Sequence, residues 1–93
     1  MLEIRTNCEH CKKHLPNSSS EAMICSYECT FCEACVTEIL YNVCPNCGGG
    51  FEKRPSRPLK DLTENPERED SVFKPVVKNI YLNKNKDIPP RER

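Results

Sequence analysis

Apolar residues are sparse along this chain and fall in short groups. Leu2 and Ile4 alternate with Glu3 and Arg5, the two-residue period of a short edge strand. Met23, Ile24, Tyr27 and Phe31 are scattered through a cysteine-rich stretch and predict a miniature core rather than a long element. Val36, Ile39, Leu40 and Val43 stand at i, i+3, i+4 and i+7. That spacing predicts one face of a helix of about two turns ending near Asn42. Residues 16–21, PNSSSE, read as a loop. Ser18 and Glu21 have capping-box spacing, but no apolar helical run follows them, so a turn is expected. Beyond residue 52 the single apolar island is Val72 to Leu82, and Pro75 inside it argues against a central strand.

The apolar pattern alone cannot hold such a chain together. A segment of roughly 50 residues buries too little apolar surface to offset its chain entropy comfortably, and such domains need a staple. The staple is visible in the composition. All eight cysteines lie within residues 8–47, spaced C-x2-C-x13-C-x3-C-x2-C-x2-C-x8-C-x2-C. The N-terminus has no basic stretch followed by an apolar run, so no signal peptide is expected, and no apolar segment approaches the roughly 20 residues that cross a bilayer. A reducing cytoplasmic setting follows as an expectation, and C-x2-C pairs there read as metal sites rather than disulfides. A thioredoxin-like redox site would need a βαβ context that the sequence lacks. Eight thiolates make two tetrahedral sets, so two Zn²⁺ ions are expected.

Two pairings of the ligands are chemically reasonable. A sequential scheme places Cys8, Cys11, Cys25 and Cys29 on one ion and Cys32, Cys35, Cys44 and Cys47 on the other. A cross-braced scheme places Cys8, Cys11, Cys32 and Cys35 on site 1 and Cys25, Cys29, Cys44 and Cys47 on site 2. Only two residues separate Cys29 from Cys32, and interleaving closes longer loops, which mildly favours the cross-brace. Gly48, Gly49 and Gly50 directly follow Cys47. Gly48 suits the positive φ of a metal knuckle, and Gly50 reads equally as knuckle or hinge.

The cysteine row across residues 8–47 resembles the RING-finger pattern, with Phe31-Cys32-Glu-Ala-Cys35 at the third pair and Cys44-Pro45-Asn46-Cys47 at the close. The resemblance implies a small metal-dominated domain: a cross-brace with a short β-hairpin and one short α-helix after the third pair. One departure is Cys29, where the family usually has His. MLEIRTNCEHC, ICSYECTFCEAC and CPNCGG also resemble, over residues 1–51, a family of short bacterial proteins known only as a domain of unknown function. That similarity implies a bacterial cytosol and brings no activity with it. Ligase RING fingers carry an apolar residue before the second ligand, a large one four after the sixth and a basic one after the last. Here those positions are His10, Ile39 and Gly48, so ubiquitin-ligase activity is not expected.

Charge divides the chain. The 14 basic and 14 acidic residues cancel overall, but residues 1–50 carry −3 and residues 51–93 carry +3. Eight thiolates with two divalent ions would take the first half to about −7. Such a surface repels nucleic acid, so any contact of that kind would fall to Lys53, Arg54, Arg57 and Lys60. That run lacks interleaved aromatics, and internal screening is its simpler role. Six of the eight prolines lie beyond residue 52. A two-zinc domain over residues 1–51 and a Pro- and charge-rich, mostly irregular tail over 52–93 are therefore expected. If the island docks, Val76, Ile80 and Leu82 should lie beside Leu2 and Ile4. Catalytic zinc needs an open position, which eight cysteines do not leave. His10, His14 and the serines at 18–20 read as exposed polar residues. The function expected is a non-enzymatic zinc protein acting as a protein–protein interaction module. The alternatives are a nucleic-acid-associated zinc protein using residues 53–60 and a zinc or redox sensor. The expected partner is a protein of unknown identity, with no membrane.

Overall fold

The architecture is set by a three-residue hairpin between the central cysteines. In the computed structural model, which describes residues 1–93, β1 (Ala22–Ile24) and β2 (Thr30–Cys32) pair antiparallel, with Met23 opposite Phe31. A third strand, β3 (Glu52–Lys53), pairs antiparallel on the other side of β1, giving the order β2-β1-β3. Helix α1 (Glu33–Glu38) follows β2 without a loop. A one-turn helix, α2 (Leu82–Asn85), and 3₁₀ turns at Leu59–Asp61 and Pro90–Glu92 punctuate the rest. The expected hairpin and helix are present, with a third strand and a second short helix added. No helix is long and apolar enough to cross a membrane.

The core is small and partly made of sulfur. Phe31, Leu15, Leu40, Val36 and Phe51 are buried among six of the cysteines. The rings of Phe31 and Phe51 meet edge to face at 5.5 Å, a geometry aromatic pairs favour. This contact ties β2 to the segment that becomes β3.

The helix differs from its expected span. It begins at Glu33 because Cys32 and Cys35 share its first turn, and it stops at Glu38. Tyr41 and Asn42 then take positive φ of 48° and 58°, which reverses the chain toward Cys44. Val36, Leu40 and Val43 are buried as the spacing implies. Ile39 faces outward at 42% exposure because the helix ends before its stripe is complete.

The edge strand at Leu2–Ile4 does not form. The main-chain carbonyls there go to the tail instead: Arg57 donates from its guanidinium to Leu2 O, and the Arg68 N–H donates to Ile4 O at 2.8 Å. The segment beside Leu2 and Ile4 is therefore 57–68 rather than the apolar island, and Ile80 is 68% exposed. Val76 alone of the island packs on the core.

Residues 54–93 meet the first half at separate points from Arg54 to Arg93. The radius of gyration is 13.3 Å, close to the roughly 12 Å of a compact chain of this length. Polar side chains make most of these contacts. Asn17 is buried; it donates to Arg57 O at 2.9 Å and accepts from Arg57 N at 2.7 Å. Arg54, 4% exposed, donates to the carbonyls of Arg5, Leu15 and Pro16 at 2.6–2.9 Å. Burial lowers its pKa, and Glu67 nearby opposes that shift.

Arg54 therefore closes three main-chain acceptors with one cation. Arg54→Ala should cost about 3 kcal/mol in urea unfolding, because buried carbonyls lose charged donors. Arg54→Lys should recover only part of it, since one ammonium cannot span three carbonyls. A change below about 0.5 kcal/mol in the alanine variant would contradict this role.

Candidate metal centre

Three turns of similar design present the cysteines. After Cys8 the chain bends so that Lys12 N–H donates to Cys8 O and Cys8 N–H to Lys13 O, at 3.0 and 2.9 Å. The Cys44 turn repeats this: Gly48 N–H donates to Cys44 O and Cys44 N–H to Gly49 O, both at 2.8 Å. At Cys25 a frame one residue shorter uses Glu28 and Cys29, at 2.9 and 3.2 Å. Each bend needs one left-handed residue: Lys12 (φ 66°), Glu28 (φ 66°) and Gly48 (φ 79°). Only Gly48 adopts it without a Cβ penalty. The turns aim main-chain donors at sulfur, as Tyr27 N–H does to Cys25 Sγ at 3.3 Å and Gly49 N–H to Cys47 Sγ at 3.4 Å. The remaining pair, Cys32 and Cys35, sits where β2 runs into α1.

These elements bring the sulfurs to two points. Sγ atoms of Cys8, Cys11, Cys32 and Cys35 all lie within 4.8 Å of one another, and so do those of Cys25, Cys44 and Cys47. Cys11 and Cys32 sulfurs are 3.7 Å apart. The S–S bond of a disulfide is about 2.05 Å, and all eight cysteines are free. Four sulfurs about 2.3 Å from a common tetrahedral centre would be about 3.8 Å apart, so the donors fit a metal ion. Cys29 stands at the margin of the second group. Its sulfur accepts a hydrogen bond from Asn46 Nδ2 at 3.4 Å. The two groups interleave along the chain.

The electrostatics of the thiols alone point the same way. Hydrogen bonds from Cys25 and then Cys44 hold Cys29 down to about 2. Cys25, giving its hydrogen bond to Cys29, is pushed up to about 11. Cys44 is raised by Cys25 and Cys29, Cys35 by burial and then Cys32, and Cys8 by burial. At Cys11 the desolvation penalty is outweighed by the Lys13 main chain and neighbouring thiols, so its pKa falls. The raised thiols, Cys8, Cys25, Cys35 and Cys44, thus hold protons unless a cation enters among them. Two groups of cysteines able to hold metal ions are what the chain builds.

The buried Glu9 joins the centres to the sheet. Its carboxylate accepts from Thr30 N–H at 2.6 Å and pairs with Arg5 at 2.9 Å. The sequence marks it only as a residue between two ligands. His10 is half-buried, and its Nδ1 accepts from Val76 N–H at 2.8 Å, so it anchors the tail rather than facing water. His14 is exposed. The basic run is largely engaged: Arg54 is buried, Arg57 bonds main-chain carbonyls and Lys53 pairs with Glu33. Gly50 is neither knuckle nor hinge, because a Cβ there would meet Pro90 Cβ at 2.7 Å. Three side chains that hold the tail on this centre, Asn79, Asn85 and Arg93, carry no periodic signal. Only the clustering of asparagines in an otherwise charged tail marks them.

Residues 1–57 match the family described as protein of unknown function (DUF1272), and the chain belongs to that family. The uncharacterized protein R02474 of Rhizobium meliloti (strain 1021) is 48% identical over 75 residues, which span 81% of this chain and 89% of that protein. No solved structure matches.

Glu28 offers a clean probe of the turn geometry. Glu28→Gly removes the left-handed penalty and should raise stability by about 0.5–1 kcal/mol in urea unfolding. The exposed contact from Glu3 N–H, 3.3 Å long, is too weak to offset this. A loss of stability would contradict the shared turn design.

Proposed function

We propose that this chain is a structural two-zinc protein that works as a small protein–protein interaction module in the bacterial cytosol. The observation that carries it is the gathering of the sulfurs into two interleaved groups. In this reading Cys8, Cys11, Cys32 and Cys35 hold one ion, and Cys25, Cys29, Cys44 and Cys47 hold the other. Zinc suits four soft thiolates at tetrahedral spacing. When bound it supplies the charge that lets all four ionise, and a cross-link that a core of this size lacks. Cysteine fills every coordination position, so no place is left for water and the role is structural rather than catalytic. Residues 1–51 are then the metal-built unit, and residues 52–93 its cover.

Support for a binding role comes from what the unit exposes. Tyr27 is 73% exposed, Tyr41 58% and Ile39 42%. All three belong to turns or helix ends fixed by neighbouring cysteines, which makes them rigid apolar anchors of the kind protein partners use. The nucleic-acid alternative draws little support, because the basic run is mostly engaged within the chain. Ubiquitin transfer is not part of the proposal: His10 is occupied by the tail, and Gly48 offers no basic side chain.

Protein purified without a metal-binding tag should carry two zinc ions per chain, and a strong chelator should unfold it. Zero metal with four disulfides would overturn the reading, and iron in place of zinc would overturn the identity of the ion. The sign of the pH dependence follows from the thiols. Cys8, Cys25, Cys35 and Cys44 are raised without metal, so they hold protons at neutral pH that binding must expel. Calorimetric titration in buffers of different ionisation enthalpy should show at least those four protons released per chain at pH 7. Metal-dependent stability should therefore be present at neutral pH and above, and lost as pH falls. Proton release near zero would contradict thiolate ligation. Tyr27→Ser with Tyr41→Ser should keep both ions and abolish capture of the partner from the native cell. Unchanged capture would remove that face from the proposal.

A further inference from the structure

The second metal group is built differently from the first, and the difference lies next to the C-terminal segment. Four sulfurs are gathered at the first group and three at the second, with Cys29 at its margin. Cys47 is half-buried, and Cys11 of the first group is exposed. Cys47 lines an open cavity of about 970 Å³ that Asn85 and residues 89–93 also line. The turn that carries Cys44 and Cys47 is held from outside by three side chains. Asn79 donates to Val43 O at 2.8 Å, Asn85 to Gly48 O at 3.0 Å and Arg93 to Asn42 O at 2.6 Å.

Two glycines of that turn are shaped by the same segment. A Cβ on Gly48 would lie 2.7 Å from Asn85 Nδ2 and 3.0 Å from the Tyr81 ring. A Cβ on Gly50 would strike Pro90 at 2.7 Å. Gly50 does not take positive φ, so close approach of the segment, not backbone conformation, explains its lack of a side chain.

We propose that residues 79–93 form a strap that gates metal exchange at the second site. The inference rests on the zinc reading above and adds a regulatory role for the tail. With the strap seated, the carbonyl of Gly48, next in the chain to Cys47, is held by Asn85, which fixes the turn that carries Cys47. With the strap lifted, the turn is free to open and the ion to leave. By linkage, loss of that ion loosens the strap in turn. The first site is outside this control, because its turn is met by a different segment: Lys74 N–H donates to Glu9 O and Val76 N–H to His10.

The test uses the full zinc-loaded chain, with zinc counted by native mass spectrometry. A chelator is added with iodoacetamide, and peptide mass spectrometry follows which cysteines become alkylated as metal leaves. The variants are Asn85→Ala combined with Arg93→Ala, which removes two strap bonds, and Gly50→Ala, which displaces the strap without backbone strain. Val77→Ser, at a fully open position, is the control. In both strap variants, labelling of Cys25, Cys29, Cys44 and Cys47 should quicken about tenfold. Labelling of Cys8, Cys11, Cys32 and Cys35 should not change. Unchanged rates at the second set, or equal acceleration of both sets, in a chain that binds two ions would overturn the gate and leave the zinc reading standing. A wild-type chain that binds no metal would overturn both.

Discussion

The rest of the structure depends on the packing of thiols against thiols. Only 20 of 93 residues are buried, and six of the twelve in the core cluster are cysteines. Sulfurs this close cannot all ionise alone, as the opposed shifts of Cys25 and Cys29 show. Nor can so small an apolar core offset the entropy of ordering a chain of this length. The proposed ions address both problems at once. A divalent cation stabilises the thiolates electrostatically, and its binding free energy acts as folding free energy.

Interleaving gives those centres their reach. With an ion in each, the first group would tie the N-terminal turn to the junction of β2 and α1, and the second the hairpin turn to the Cys44–Gly49 turn. Neither half of residues 8–47 can then come apart without disturbing both groups. The sheet, the edge-to-face pair of Phe31 and Phe51, and the buried Glu9–Thr30 contact fill the space between. The tail then closes over the outside through side chains that bond the main chain of the turns.

What could be read from the residue pattern follows from this division. Cysteine spacing is a strong local signal because each C-x2-C closes one tight turn, so the turns were legible, whereas the interleaved grouping was only mildly favoured by spacing. The spacing of Val36, Leu40 and Val43 marked buried positions correctly. It overstated the helix, because two left-handed residues, Tyr41 and Asn42, do the work of its last turn. Leu2 and Ile4 alternate like a strand, but Arg57 and Arg68 take their carbonyls, and no periodicity announces a side chain that bonds a distant main chain. The tail was hard to read for the same reason. Its contacts run through Arg54, Asn79, Asn85 and Arg93, residue types that composition assigns to solvent. Gly50 shows the limit well: its meaning lies in Pro90, forty positions away.

The central claim is that two ions are held by interleaved sets of four sulfurs, and the most direct measurement is of the metal–ligand bonds themselves. In protein loaded with ¹¹³Cd, through-bond correlation spectra link each metal resonance to the cysteine β-protons of its ligands. The account predicts two resonances, one coupled to Cys8, Cys11, Cys32 and Cys35 and the other to Cys25, Cys29, Cys44 and Cys47. A resonance coupled to Cys8, Cys11, Cys25 and Cys29 together, or a single resonance, would contradict it.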